Sequence, residues 1–137
     1  MAAQAPSLPP DLGNRLASSD KTERDKALAT ATRFVKRLPN PPDTNTLLKL
    51  WKALYYTFWH SDKPLVQRDL AERLAALQAS APAAARGPFV AAFWATMMRE
   101  WHSIDRIRLN KFYMLMDHVR EQQLQAMRAG RWADEAL

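Results

Sequence analysis

Apolar residues recur along this chain at three- and four-residue spacing, and no stretch alternates with period two for long enough to make a strand. The densest pattern is Leu47–Pro64. Leu47, Leu50, Trp51, Leu54 and Phe58 form one stripe, and Leu48, Tyr55 and Trp59 form a second. Only Lys49, Lys52, Tyr56 and His60 are left for a wet strip. A helix apolar on most of its circumference is buried by several neighbours, so this one is expected at the centre of the fold with Trp51 in the core. The preceding helix starts at Asp20 as N-cap, with Glu23 as its capping-box partner. It turns Ala27, Ala31, Phe34 and Leu38 inward beside Leu28 and Val35, and Pro39-Asn40-Pro41-Pro42 stops it. Asp43 or Thr44 caps the central helix. Ser61 or Asp62 caps the next one, with Pro64 in its first turn. There Val66, Leu70, Leu74 and Leu77 make the inner stripe.

Residues 78–88 read as a small-residue linker ending in Gly87-Pro88. A second aromatic helix is expected from Pro88, with Phe89, Phe93, Met97 and Trp101 on one face and Val90, Trp94 and Met98 beside them. It breaks near His102-Ser103. The last helix runs from about Asp105 to Ala129, and Leu109, Phe112, Tyr113, Met116, Val119, Gln123, Leu124 and Met127 mark its inner stripe. Gly130 suits the position after its end, and Trp132 and Leu137 follow. Residues 1–18 are expected to be a mostly disordered tail, although Leu12 and Leu16 have the spacing of a turn or two of helix. Residues 19–137 then form a single all-helical domain. The expected fold is all-α, built of antiparallel helical hairpins in an irregular HEAT-like array. An internal likeness supports the array: LWKALYYTFWHSDK (50–63) resembles FWATMMREWHSIDR (93–106), and their His-Ser pairs lie 42 residues apart. HEAT repeats recur every ~40–47 residues.

Charge adds little direction. The net charge is +6, but basic residues are spread along the chain without forming a tail. That favours an acidic partner without naming one. There is no cysteine, which excludes disulfides and thiolate-bound zinc. No apolar run approaches the ~20 residues that span a bilayer, and the first residues lack the pattern of a secretory signal. No glycine-rich phosphate loop is present. His60, His102 and His118 have no metal-ligand spacing; His60 and His102 sit at expected helix C-termini, where a cation meets the negative end of the dipole. Ser61 and Ser103 read as caps, with Asp62 and Asp105 marking the matching helix starts after each Trp-His-Ser, and Asp69 with Glu72 reads as a surface pair. Neither a catalytic residue nor a cofactor or metal site is expected. One cluster stands out: Arg99, Arg106, Arg108 and Lys111 fall within thirteen positions. It is either a self-neutralised corner, with Asp105 pairing to Arg108, or a phosphate-gripping patch.

The segments LWKALYYTFWHSDKPLVQRDLAERLA (50–75) and FWATMMREWHSIDRIRLNKFYML (93–115) resemble the eukaryotic ribosomal RNA-processing protein one family, also called the Nop-fifty-two family. The resemblance covers about residues 19–120. Its most specific pieces are LWKAL, the Trp-x-Ser-Asp-Lys-Pro corner at 59–64 and the run at 99–115; Asn110 departs from the acid expected there. The resemblance implies a non-catalytic nucleolar scaffold that joins precursors of the large ribosomal subunit and supports internal-spacer processing of pre-rRNA. It implies no membrane and no small-molecule substrate. The expected contacts to RNA or protein partners are Arg106, Arg108 and Lys111, then Arg99, Lys49, Lys52 and Lys63. The rival readings are a helical protein–protein adaptor without direct RNA contact and, from another class, a nuclease.

Overall fold

A computed structural model describes residues 10–16 and 18–130. Its helices are α1 (Leu12–Leu16), α2 (Lys21–Lys36), α3 (Thr44–His60), α4 (Pro64–Ser80), α5 (Ala83–Glu100) and α6 (Arg106–Ala129), with a 3-10 turn at Trp101–Ser103 between the last two. Among the described residues there is no strand. The all-α expectation holds.

The helices pack by alternation. In one layer α1 lies on α3 and α3 on α5; in the other α2 lies on α4 and α4 on α6. Three hydrogen bonds give the register. Thr57 Oγ1 on α3 donates to the Leu16 carbonyl of α1, 41 residues earlier. Gln78 Nε2 on α4 donates to the Val119 carbonyl of α6, 41 residues later. Trp51 Nε1 on α3 donates to the Phe89 carbonyl of α5, 38 residues later. Offsets of 38 to 41 residues, close to the repeat length, are what stacked helical hairpins produce, because each unit buries its apolar face against the matching helix of the next. The array has three units, one more than the sequence likeness indicated. The extra unit is α1–α2. Its corner carries Ser19-Asp20-Lys21, which precedes Ser61-Asp62-Lys63 by 42 residues, as that in turn precedes Ser103-Ile104-Asp105-Arg106.

The first unit also moves the expected boundary of the packed region. Leu12 and Leu16 are buried and belong to the main core, so the tail expected through residue 18 does not reach them. Residues 1–9 and 131–137, including Trp132 and Leu137, lie outside the described residues.

The centre is α3, as its double stripe requires. Trp51 is 3% exposed, and its ring lies 5.0 Å from that of Phe89 and 4.9 Å from that of Phe93. Tyr55 stacks on Phe112 of α6 at 4.9 Å. Lys49, Lys52, Tyr56 and His60 form the exposed strip. The five expected inward residues of α2, and Leu38 just past its end, are all buried. α6 differs: Phe112, Leu115 and Val119 face inward with Lys111, while Tyr113 and Leu124 are exposed. The inner stripe follows the turn of Lys111, Leu115 and Val119, a row that a lysine at its head disguises. On α5, Phe89, Val90, Phe93 and Met97 are buried and Trp94 is half-buried, but Met98 is exposed.

The linker expected at 78–88 is replaced by helix. α4 continues through Ser80 and α5 begins at Ala83, leaving only Ala81 and Pro82 between them. Alanine is the best helix former, and a break is forced only at Ala81, which precedes a proline and is held extended at φ −74°, ψ 146°. Pro88 therefore sits inside α5. Ala84, whose carbonyl loses its donor there, is exposed, as is Pro88. Arg86 reaches back to donate to the carbonyls of Gln78 and Ala81, closing the end of α4.

Candidate functional site

Three hairpin corners line up along one edge of the array, and the second is held by the third. The last turn of α3 ends with its carbonyls pointing at α6. Lys111 Nζ donates to the carbonyls of Phe58 (2.8 Å), Trp59 (2.7 Å) and Ser61 (2.6 Å). A cation at a helix C-terminus satisfies carbonyls that have no intrahelical donor and meets the negative end of the dipole. Lys111 is 7% exposed. Burial is the main reason its pKa falls from 10.5 to about 8, and the nearby Arg108 guanidinium adds to the shift. Arg108 is fixed as well. Its guanidinium carbon lies 3.5 Å from the centre of the Trp59 ring, its Nε donates to the Trp59 carbonyl at 3.2 Å, and it forms an ion pair with Asp105.

Two of the three cations expected to lead a phosphate contact are thus committed inside the protein. The structure brings Arg108 and Lys111 together, but around the end of α3. Arg106, the third, is exposed and makes no ion pair among the described residues. Arg99 is exposed and lies 3.5 Å from its neighbour Glu100. Lys63 is exposed at the second corner. Lys49 and Lys52 are exposed on the outer strip of α3 beside Tyr56. These five do not form one patch: Lys63 and Arg106 occupy the corner edge, while Lys49 and Lys52 lie along a helix face.

The capping expectations divide. Asp20, Asp43 and Asp105 accept from the backbone N–H groups of Thr22, Thr46 and Arg108. Glu23 pairs with Arg15 at 3.7 Å. Neither Ser61 nor Asp62 caps α4. Its N-cap is Lys63, with no side-chain hydrogen bond. Pro64 decides this: with φ preset and no N–H it takes the first helical position, so the residue before it becomes the cap. Ser61 instead donates its hydroxyl to the Phe58 carbonyl. His60 is exposed, and the cation that meets the end of α3 is Lys111. The clue to Lys111 was its place in the inward row of α6, four residues before Leu115.

Two clefts flank the second corner. One, of about 450 Å3, is lined by Ser18, Ser19, Lys21 and Arg24 from the first corner and by His60 and Lys63 from the second. The other, of about 200 Å3, lies between the second and third corners against Trp59, Gln67, Ile107 and Arg108. Among the described residues no group of three or more histidines and carboxylates is placed to hold a metal ion, and no helix is long and apolar enough to cross a membrane.

The family model described as "Nucleolar protein, Nop52" matches residues 9–137. Ribosomal RNA processing protein 1 homolog A of Mus musculus is 40% identical over 137 residues, covering 95% of this chain and 28% of that protein. Ribosomal RNA processing protein 1 homolog B of Homo sapiens is 37% identical over 141 residues, covering 97% of this chain and 19% of that protein. The Drosophila melanogaster homolog is 34% identical over 122 residues, covering 85% and 18%. The chain spans less than a third of the length of these relatives.

Proposed function

Since the chain belongs to the nucleolar Nop52 family, we propose that it acts in ribosome biogenesis as a non-catalytic helical scaffold. It joins precursors of the large ribosomal subunit in the nucleolus and supports processing of the internal spacer of pre-rRNA. The observation that carries this reading is the match over residues 9–137 to a family whose members are named for rRNA processing. The stacked hairpins suit the role, since an array presents long rows of equivalent positions to neighbours. Direct RNA contact falls to Arg106, Lys63, Lys49, Lys52 and Arg99, the expected cations that remain exposed. The three corner and α5 positions lie apart from the α3 strip. They make a few separate phosphate contacts and no sequence-reading surface, because most aromatics are packed inside.

The test is co-sedimentation with large-subunit precursors. A variant with Lys49, Lys52, Lys63 and Arg106 changed to alanine should keep its thermal midpoint, associate less with precursors and let spacer-containing RNA accumulate. Each lost phosphate contact should reduce the slope of log affinity against log salt by about 0.7–0.9. Wild-type association and salt dependence in this variant would remove the RNA contacts and leave the protein–protein adaptor as the reading. Cleavage of spacer RNA that persists through purification and is lost on changing one acidic residue would overturn the non-catalytic role.

A further inference from the structure

Leu65 and Ile107 are 81% and 91% exposed, more than any other large apolar side chain among the described residues. They are repeat equivalents, 42 residues apart, each at the second position of its helix. α4 and α6 pack side by side in matching register, so the two anchors sit on one corner edge, on helices whose axes lie about 8–10 Å apart. From this pairing we propose that the edge docks an acidic protein segment that lays two aliphatic side chains against Leu65 and Ile107.

Three observations select that occupant. First, the anchors are aliphatic. Bases stack on aromatic rings or guanidinium planes, and neither Leu65 nor Ile107 offers one. Second, the local charge is unbalanced once internal pairs are set aside. Within one turn of either anchor, Asp69 pairs with Arg73 and Asp105 with Arg108, while Lys111 is spent on carbonyls. Lys63, Arg68 and Arg106 remain, against Asp62 alone. Third, the platform is rigid. Lys111 and Arg108 tie the start of α6 to the end of α3, so the anchors are presented without an ordering cost at binding. The cleft of about 200 Å3 between the two corners takes its apolar wall from Ile107 and Trp59 and the rest of its lining from His60, Ser61, Asp62, Gln67, Arg108 and Lys111, so it admits a side chain beside Ile107. Positions i and i+7 of an amphipathic helix, about 10 Å apart along its axis, can bridge two neighbouring helices at that axis spacing.

The inference concerns protein recognition; it shares Lys63 and Arg106 with the phosphate contacts proposed above, and the cross-links decide which partner those two cations meet. It is tested with the full-length protein in cells, carrying the photo-cross-linking residue p-benzoylphenylalanine at position 65 or, separately, at 107. The expected result is that both positions cross-link to one stretch of a single protein, and that this stretch carries net negative charge and a pair of aliphatic residues. A Leu65→Ser/Ile107→Ser variant should keep the wild-type unfolding midpoint, since both side chains are exposed, and should recover that protein at least tenfold less well. Cross-links to RNA would overturn the proposed partner while leaving the scaffold role standing. Cross-links to two unrelated proteins, to a neutral or basic stretch, or to nothing would also overturn it, as would undiminished recovery by the double variant.

Discussion

Replacing Lys111 with methionine tests the reading of the second corner most directly. Methionine keeps the unbranched stem and its packing but removes the ammonium. Three hydrogen bonds from a charged donor are lost, at 2.8, 2.7 and 2.6 Å. Such bonds are worth about 1.5–3 kcal/mol each. The lower figure applies, because every carbonyl keeps another donor: Phe58 has the Ser61 N–H and hydroxyl, Trp59 has Arg108 Nε, and Ser61 has Gln67 Nε2. The gross loss is therefore ~4–5 kcal/mol. Against it stands relief from burying the ammonium. A pKa drawn from 10.5 to about 8 corresponds to ~3 kcal/mol at 1.36 kcal/mol per unit. The net destabilisation should be ~1–2 kcal/mol, read as a lower urea midpoint by tryptophan fluorescence with an unchanged slope. An exposed phosphate contact would behave otherwise, since surface substitutions fall within about 0.5 kcal/mol. A midpoint unchanged within that range, together with weakened association with precursors, would refute the structural role and return Lys111 to the RNA-contact set.

The two later corners should respond differently to loss of their aspartates. Asp105→Ala should cost ~0.5–2 kcal/mol, because it removes the α6 cap and frees Arg108; Asp62→Ala should stay within about 0.5 kcal/mol, because α4 has no side-chain cap, and parallel denaturation curves compare them. Thr57→Val should cost ~1 kcal/mol or somewhat more by leaving the Leu16 carbonyl without its 2.6 Å donor, and amide exchange should quicken in α1 more than in α5. Stability should also rise with pH between about 8 and 10: in that window the unfolded chain holds the Lys111 proton that the folded chain has released. The penalty is fully present below pH 8. Above pH 10 Tyr55 acts in the opposite sense, since burial raises its hydroxyl to about 12 in the folded state. Denaturant midpoints at pH 7 and 9.5, in wild type and Lys111→Met, should show the rise only in wild type.

Much of the architecture was legible in the order of residues. The double stripe of α3, the inward row of α2 and the caps at Asp20, Asp43 and Asp105 depend on neighbours within a few positions, and these local periodicities are set by helix geometry. The two Trp-His-Ser corners showed the repeat for the same reason. The first unit is not legible in the sequence because it keeps only Ser-Asp-Lys of the corner and a five-residue helix. That helix joins the core through Leu12 and Leu16, and the Thr57 bond across 41 residues ties its end to α3. The break between α4 and α5 falls at Ala81-Pro82 and not at Gly87-Pro88 for a different reason. Glycine and proline at 87–88 signal a turn, but the alanines before them favour helix, and packing settles the competition.

The candidate site shows where sequence stops. Arg106, Arg108 and Lys111 are three basic residues within six positions, and sequence alone treats them alike. The array separates them. α6 starts beside the exposed carbonyls at the end of α3, so the two cations on its inner side are drawn to that helix end and Arg106 is left in water. Leu65 and Ile107 show the reverse case: they lie outside the expected inward stripes, and with α4 and α6 aligned they are the most exposed large apolar side chains among the described residues. Sequence by itself determined most of the helices and how most of their faces divide, because those properties follow from contacts within one or two turns, and it showed two of the three repeated corners. Tertiary structure decided which charges are free and which apolar groups are stranded, because both depend on what the neighbouring helix, about 40 residues away in the chain, places beside them.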